Sequence, residues 1–183
     1  MTRPAAAILL TGNELLRGVI SDANGAHLAA SLEKHGFSVR RTLVVGDGVP
    51  DIERGLRELI GEADLVVSSG GLGPTHDDRT VEALAKVAGR PVLVDEALEA
   101  EIEAFSRSLA ERYRRPYAEF EEGVRKQAAL PEGAHVLGLA GTAPGLVLEV
   151  DGSVAVVLPG PPGELRRLWT RAVEAEAVRS VFE

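Results

Sequence analysis

The sequence contains no cysteine, few aromatic residues and no excess of basic residues. Without cysteine, the chain cannot form a disulfide framework, use a thiolate nucleophile or build a cysteine-ligated zinc site. The formal net charge of −8 argues against general binding to nucleic acid or to an anionic membrane, because both depend on clustered lysine and arginine. No apolar run approaches the roughly 18 residues of a membrane-spanning helix. We therefore expect a protein that binds neither nucleic acid nor membrane.

The remaining composition is that of an ordinary globular protein. The hydrophobic fraction is 45% and the charged fraction 26%, and 183 residues suffice for one well-buried domain with little room for a second. We predict a single domain over residues 1–183. The first residues lead into a strand-like run rather than a signal peptide, so we expect a cytoplasmic location. A small phosphorylated ligand is not excluded, because a local site can be positive on an acidic protein.

Strand-like and helix-like segments alternate through the first half of the chain. Short apolar runs that end near glycine predict buried strands, and apolar residues at helical spacing predict helices. The predicted strands are Ala5–Leu10, Val39–Val45 and Leu65–Ser69, and the predicted helices are Asn24–His35, Pro50–Glu62 and Asp77–Ala88. This order predicts a parallel sheet with helices on both faces.

The second half shows a different pattern. Long helical segments are predicted over Asp95–Tyr113, Glu119–Leu130 and Glu164–Phe182. Two strand-like runs, Leu146–Val150 and Val154–Leu158, flank Asp151-Gly152-Ser153, which is a strong signal for an antiparallel hairpin. The predicted fold class is therefore three-layer α/β/α, with a mostly parallel, Rossmann-like sheet and an added antiparallel hairpin.

One strand-to-helix turn, residues 70–80, concentrates glycine and acidic residues. Its sequence is Gly-Gly-Leu-Gly-Pro-Thr-His-Asp-Asp-Arg-Thr. Glycines let backbone N–H groups approach a ligand closely, and a helix N-terminus favours anions. Asp77 and Asp78 at this end either complement the helix dipole or hold a cation that bridges to a phosphate. The turn lacks the Lys-Ser/Thr ending of a P-loop, so ordinary ATPase chemistry is not expected.

Three other polar segments are predicted near the same edge of the sheet. Thr11-Gly12-Asn13-Glu14 follows the first strand, Gly46-Asp47 follows the second, and Gly141-Thr142-Ala143-Pro144-Gly145 precedes the hairpin. Ligands of open α/β sheets bind at the carboxyl ends of the strands. Each segment alone is a weak indication, because glycine, aspartate and threonine also stabilise ordinary turns. Their convergence on one edge favours a binding site.

Five segments of the chain, in this order, match the pattern of a known family. They are Gly12–Leu16 with the Asn24 that follows, Gly70–Thr80, Lys126–Ala128, Gly141–Gly145 and Leu158–Pro162. The chain resembles the amino-terminal domain of the competence/damage-inducible protein A (CinA) family. That domain belongs to the molybdopterin-binding superfamily, which includes MoaB/Mog-like proteins of molybdenum-cofactor biosynthesis. The resemblance covers nearly the whole chain, and the match over residues 70–80 is highly specific.

The resemblance implies one of two functions. Similar domains hydrolyse ADP-ribose and related dinucleotide pyrophosphates with a divalent metal and potassium, whereas more distant relatives bind molybdopterin through acids that match Asp47 and Asp78. We predict metal-dependent hydrolysis of a nucleotide pyrophosphate such as ADP-ribose, and a non-hydrolytic pterin- or nucleotide-binding domain is the alternative. Full-length family members often carry a second domain that nothing in this chain matches. Relatives form dimers or trimers, so we also expect a homo-oligomer.

A pyrophosphate site needs neutralised phosphate oxygens and an oriented water, which suggests roles for these residues. The phosphate-binding candidates are Gly12, Gly70, Gly71, Gly73, Thr75, Gly141, Thr142 and Gly145. The metal candidates are Glu14, Asp77 and Asp78, for magnesium, manganese or cobalt, with potassium as a further ion. The catalytic candidates are Asp78, Asp47 as a base or further ligand, and Lys126 as a positive charge. Glu164 is a weaker ligand candidate.

Several of these residues have simpler explanations. Glu164 is equally explained as an acid in the first turn of a helix. Thr75 and Asp78 match a capping-box-like spacing that requires no ligand. Two departures from the family pattern, Val124 and Gly138, stand near or at positions where active relatives tend to have asparagine. If those amides orient the nucleotide or water, their loss favours the non-hydrolytic alternative.

Overall fold

The computed structural model describes residues 3–182. The strands in this part of the chain are β1 (Ala5–Thr11), β2 (Ser38–Val45), β3 (Leu65–Ser69), β4 (Val92–Val94), β5 (Ala129–Pro131), β6 (His135–Leu139), β7 (Pro144–Val150) and β8 (Ser153–Leu158). The helices are α1 (Asn13–Leu16), α2 (Asn24–Lys34), α3 (Val49–Ile60), α4 (Thr80–Ala88), α5 (Glu96–Tyr113), α6 (Glu121–Gln127), α7 (Pro162–Ala172) and α8 (Glu176–Phe182). None of these helices is both long and apolar enough to cross a membrane.

Six of the strands form one sheet in the order β2-β1-β3-β8-β7-β6. Strands β2, β1, β3 and β8 pair in parallel, and β7 is antiparallel to both of its neighbours. The β7–β8 hairpin turns at Asp151 and Gly152, which both have positive φ, as the favoured two-residue turn requires. The predicted mostly parallel sheet with an antiparallel hairpin is confirmed.

The sheet separates two apolar cores, because successive residues of a strand face opposite sides. On one side, Leu9 of β1 belongs to a cluster with Leu56 of α3 and Leu84 of α4. On the other side, Ile8 belongs to a cluster that includes Trp169 of α7. Helices therefore cover both faces and give the predicted three layers. The carboxyl ends of β1, β3 and β8 meet at one edge, where the site candidates were predicted.

The predicted elements of the first half agree with the structure to within a few residues. The largest difference is at α4, which begins at Thr80 and not at Asp77. The Asp78 N–H donates to the Thr75 carbonyl at 3.2 Å, and the Asp78 carboxylate accepts hydrogen bonds from Thr75. Residues 75–78 thus form a turn of their own, so the helix starts only after it.

Two helix predictions in the second half were too long. The helix predicted to reach Leu130 ends at Gln127, because the chain continues as β5, which pairs antiparallel with β4. The predicted C-terminal helix is divided into α7 and α8 by Val173–Ala175, where i→i+3 hydrogen bonds tighten the turn. The division allows both helices to contribute to one core. Helix α1 and strands β4, β5 and β6 are short elements that the sequence did not predict.

Candidate functional site

A cleft of about 680 Å³ lies at the carboxyl ends of β1, β3 and β8. Its wall combines the loops that follow these strands with the chain after α1 and the first turn of α7. Its polar and glycine lining includes Thr11, Gly12, Glu14, Asp22, Asn24, Asp47, Ser69, Gly70, Gly71, Gly73, Asp77, Asp78, Thr142 and Glu164. A larger depression of about 790 Å³ lies at the amino ends of β1 and β8 and includes none of the predicted site residues. We therefore treat the smaller cleft as the candidate site.

Two glycines shape the turn that follows β3. Gly70 has φ of +106°, and a Cβ at this position would lie 2.6 Å from Thr11 Oγ1. Gly71 has φ of +68°, and a Cβ there would overlap Thr80 Oγ1. That hydroxyl donates to the Gly70 carbonyl at 2.9 Å, which ties the start of α4 back to the turn. Only glycine fits both the backbone conformation and the space at these positions.

Asp78 stabilises the same turn and also faces the cleft. Its Oδ2 accepts from the Thr75 N–H at 3.0 Å and from the Thr75 hydroxyl at 2.6 Å. The capping-like interaction suggested by the spacing therefore exists, although it closes the turn and not the first turn of α4. The Thr75 side chain is directed to Asp78 and does not line the cleft, whereas Asp78 does. Within residues 3–182, Asp78 Oδ1 has no hydrogen-bond partner.

The other predicted acids line the cleft from separate loops. Asp47 Oδ2 accepts the Asn13 N–H at 3.0 Å, which joins the loop after β2 to α1. The Glu14 carboxylate lies over Gly12, because a Cβ on that glycine would be 3.0 Å from Glu14 Oε1. Asp77 is exposed, and its carboxylate lies 3.3 Å from the His76 ring. These acids surround the opening without pairing to a basic side chain in the cleft.

The charge of the lining is strongly one-sided. Six carboxylates line the cleft, those of Glu14, Asp22, Asp47, Asp77, Asp78 and Glu164, and the described lining includes no lysine, arginine or histidine. Burial raises the pKa of Glu164 above its usual value, and the nearby Arg167 only partly opposes this shift. An anionic ligand would meet unfavourable charge here unless a cation accompanied it.

The three predicted metal ligands do not form a preassembled metal site. Among residues 3–182, no group of three or more histidine, cysteine, aspartate or glutamate side chains is arranged to hold a metal ion. The donor chemistry suits magnesium, but magnesium is usually held by one or two carboxylates together with substrate phosphates. The carboxylates thus fit a metal that enters with a phosphorylated ligand better than a resident metal.

Lys126 lies behind the glycine-containing turn and does not line the cleft. Its ammonium donates to the Thr75 carbonyl. Burial lowers the pKa of Lys126, and the neighbouring Asp78 partly offsets this shift. In this geometry the Lys126 side chain supports the turn, and its contact with a phosphate stays a prediction.

The remaining predicted residues divide between the cleft and the core. Thr142 lines the cleft. Gly141 lies against Glu164, since a Cβ on Gly141 would overlap the Glu164 carboxylate, and Gly145 packs in β7 against Leu137 and Leu168. Neither Gly141 nor Gly145 lines the cleft.

The two departures from the family pattern also lie outside the cleft. Val124 is buried and belongs to the same apolar cluster as Leu56 and Leu84. Gly138 has φ of +88° and faces Arg171, whose guanidinium donates to the Leu137 and Leu139 carbonyls. Any effect of these residues on the site is therefore indirect.

Two hydrogen-bonded polar residues of the cleft lining, Asn24 and Ser69, were not among the predicted site residues. Asn24 Nδ2 donates to Ser69 Oγ at 3.0 Å and to the Gly160 carbonyl at 2.7 Å. Ser69 Oγ in turn donates to the Pro159 carbonyl at 3.4 Å. These bonds join the start of α2 to the ends of β3 and β8. Asn24 belongs to the family-like pattern, and the polar Ser69 at the end of an apolar strand was the other available signal.

Comparison with known proteins agrees with this architecture. A family described as "Probable molybdopterin binding domain" matches residues 7–178. A CinA-like protein of Mycobacterium sp. (strain JLS) is 45% identical over 182 residues, which cover 97% of this chain and 42% of that protein. The chain thus spans less than half the length of this curated relative.

Solved structures extend the comparison. A CinA protein from Thermoplasma acidophilum superimposes with a TM-score of 0.82 and 35% identity, covering 98% of this chain and 99% of that one. The Mog protein of Mycobacterium ulcerans, described as a molybdopterin biosynthesis protein, gives a TM-score of 0.63 and 24% identity, covering 97% and 99% of the two chains. The second similarity concerns the fold alone. The chain therefore belongs to the molybdopterin-binding-domain family and, within it, to the type found in CinA-like proteins.

Proposed function

We propose that the cleft binds a small phosphorylated ligand of the pterin or nucleotide class. The observation that carries this proposal is a run of three N–H groups, those of Gly71, Leu72 and Gly73, that donate no hydrogen bond to any residue within 3–182. Successive unpaired N–H groups in a turn with positive φ form a concave binding site for anions. Gly71 and Gly73 line the cleft, so a phosphate there would satisfy these donors.

The family supports the same class of ligand. Its description names molybdopterin, and a molybdopterin is a pterin that carries a phosphate group. The cleft lining also includes four apolar side chains, those of Leu15, Ile20, Pro161 and Pro162. A ligand with a phosphate at the glycine turn and a planar ring against these side chains would use both features.

Charge balance suggests that a metal ion accompanies this ligand. The six carboxylates of the lining repel a phosphate in the absence of a cation. A divalent metal bound with the ligand would neutralise the non-bridging phosphate oxygens, and Glu14, Asp77 and Asp78 are the carboxylates that would hold it. Potassium is the further ion that the family resemblance implies.

Hydrolysis of a nucleotide pyrophosphate such as ADP-ribose is the second candidate function. It is favoured by the position of Asp47, which lines the cleft and uses only Oδ2 to accept the Asn13 N–H. Its Oδ1 would orient a water and take its proton as the water attacks phosphorus. The pyrophosphate P–O bond would then break, giving AMP and ribose 5-phosphate from ADP-ribose.

The decisive experiment measures binding and turnover in the same samples. Calorimetry with ADP-ribose, with and without magnesium and potassium, reports binding, and chromatography of AMP reports cleavage. Binding with AMP formation supports the pyrophosphatase, and binding without AMP supports the non-hydrolytic domain. Absence of binding under all these conditions would contradict both functions for a nucleotide ligand.

Substitution Asp78→Ala is the corresponding variant. It removes a cleft carboxylate and both hydrogen bonds to Thr75, so we expect turnover to be abolished and ligand affinity to fall. Circular dichroism should remain unchanged, because α4 begins beyond this residue at Thr80. Asp151→Asn, in the hairpin turn at the other end of β8, is the matched control. Normal turnover by Asp78→Ala would rule out the proposed site.

A further inference from the structure

We propose that Gln127 is a positioning residue that holds two loops of the cleft at a fixed separation. The first loop is the glycine turn, residues 70–75, and the second is the Thr142 loop, residues 140–143. Gln127 lies at the end of α6, outside the cleft lining. Its effect on ligand affinity rests on the function proposed above, whereas its effect on the loops does not.

The Gln127 amide makes one hydrogen bond to each loop. The residue is only 6% exposed. Nε2 donates to the Leu72 carbonyl of the glycine turn at 3.0 Å and to Thr142 Oγ1 at 3.4 Å. An amide nitrogen carries two hydrogens, so it can make both bonds at the same time. A single side chain thus joins the two loops from behind.

No other hydrogen bond makes this connection. Within residues 3–182, the glycine turn and the Thr142 loop share no direct hydrogen bond. Two other residues of α6 contact the glycine turn: Lys126 donates to the Thr75 carbonyl, and Gly123 lies against Pro74. Gln127 is therefore the member of α6 whose hydrogen bonds couple the turn to the second loop.

Backbone NMR relaxation of the chain without ligand tests this coupling. Gln127→Met has a similar size but no donor, so we expect the order parameters of Leu72, Gly73 and Ala143 to fall from about 0.85 toward about 0.6. Arg125→Gln, on the exposed face of the same helix, is the matched control and should leave them unchanged. Unchanged order parameters in Gln127→Met, or a fall in the glycine turn alone, would overturn the proposal.

Two substitutions of Thr142, whose hydroxyl accepts a hydrogen bond from Gln127, provide an independent test. Thr142→Val removes the acceptor and should mobilise the Thr142 loop while the bond from Gln127 keeps the glycine turn ordered. Thr142→Ser retains the hydroxyl and should keep both loops ordered. Equal order in Thr142→Val and Thr142→Ser would overturn the bridging role, even if Gln127→Met failed to fold.

Ligand affinity supplies the functional readout. With ADP-ribose and magnesium, Gln127→Met should bind about tenfold more weakly than the wild type. The reason is that the ligand must then order both loops, at a free-energy cost close to the net value of one hydrogen bond. Affinity equal to that of Arg125→Gln would overturn the positioning role. If the wild-type chain binds no ADP-ribose, the proposed ligand is wrong, and the NMR measurements still decide whether Gln127 couples the loops.

Discussion

Gly71 shows how a single residue shapes the cleft. Its φ of +68° is strained for other residues, and its missing Cβ leaves room for Thr80 Oγ1. Gly89 offers a matched comparison, because its φ is +62° but nothing lies within 4 Å of a Cβ there. We expect Gly89→Ala to lower the free energy of unfolding by about 1 kcal/mol from strain alone. Gly71→Ala should cost a further 1–3 kcal/mol or so from overpacking.

Urea denaturation of the two variants measures this difference. A similar loss in both would mean that the turn moves to accommodate a methyl group, and the close approach to Thr80 would then be unimportant.

Glu164 gives a prediction about pH. Burial raises the pKa of its carboxyl in the folded state, so the folded chain binds this proton more tightly than the unfolded chain. Stability therefore falls as the pH rises above the ordinary glutamate value of 4.5. Glu164→Gln removes the free-energy cost of burying an ionised carboxylate. We therefore expect it to raise the melting temperature at pH 7 and to have a smaller effect near pH 4.

The control for this substitution is Glu149→Gln, an exposed acid on β7. A Glu164→Gln effect that is the same at both pH values would show that the gain comes from packing against Gly141 and not from charge.

At the scale of elements, apolar runs predicted the buried parallel strands well. Leu65–Ser69 is a continuous buried run that ends at glycine, and its bounds were predicted without error. Strands β4 and β5 have three residues each, too few for a periodic pattern. Their formation therefore depends on the antiparallel pairing of two segments that lie more than thirty residues apart in the chain. Each of the four polar segments predicted from local sequence contributes residues to the cleft, whereas residues 20–24 and 159–162, which also line it, were not among them. Local sequence could not predict the tertiary bonds of Lys126 and Gln127 to the loops of the cleft.

Helix α3 carries a prediction at this scale. Its apolar face packs on the sheet, and Leu56 is fully buried there. We expect Leu56→Ala to lower the free energy of unfolding by about 2–5 kcal/mol, because it leaves a cavity in a close-packed core. Leu93→Ala, on the exposed strand β4, should change it by less than about 0.5 kcal/mol. Chemical denaturation of both variants checks the contrast.

At the scale of the whole molecule, the sheet and its helices supply the buried core, and the loops at one edge supply the polar chemistry. A divalent metal alone should scarcely stabilise the fold, because no group of three potential ligands is preassembled among residues 3–182. Magnesium with ADP-ribose should raise the melting temperature, by an amount equivalent to about 2.7 kcal/mol at 100 times the dissociation constant. The homo-oligomer expected from the resemblance stays a prediction.

A thermal melt with each component alone and with both together tests this dependence. Strong stabilisation by magnesium alone would show that the carboxylates assemble a metal site without ligand, contrary to their separate positions around the opening.

The one-sided charge of the cleft also has a kinetic consequence. A free nucleotide that diffuses toward six carboxylates is slowed by long-range repulsion, and dissolved salt weakens that repulsion over distances of about 10 Å. Its encounter rate should therefore increase with ionic strength, opposite to the behaviour of a basic nucleotide site. The magnesium complex of the same nucleotide carries less negative charge and should arrive faster, so the acidic lining would favour one of the two forms of the proposed ligand before either makes contact.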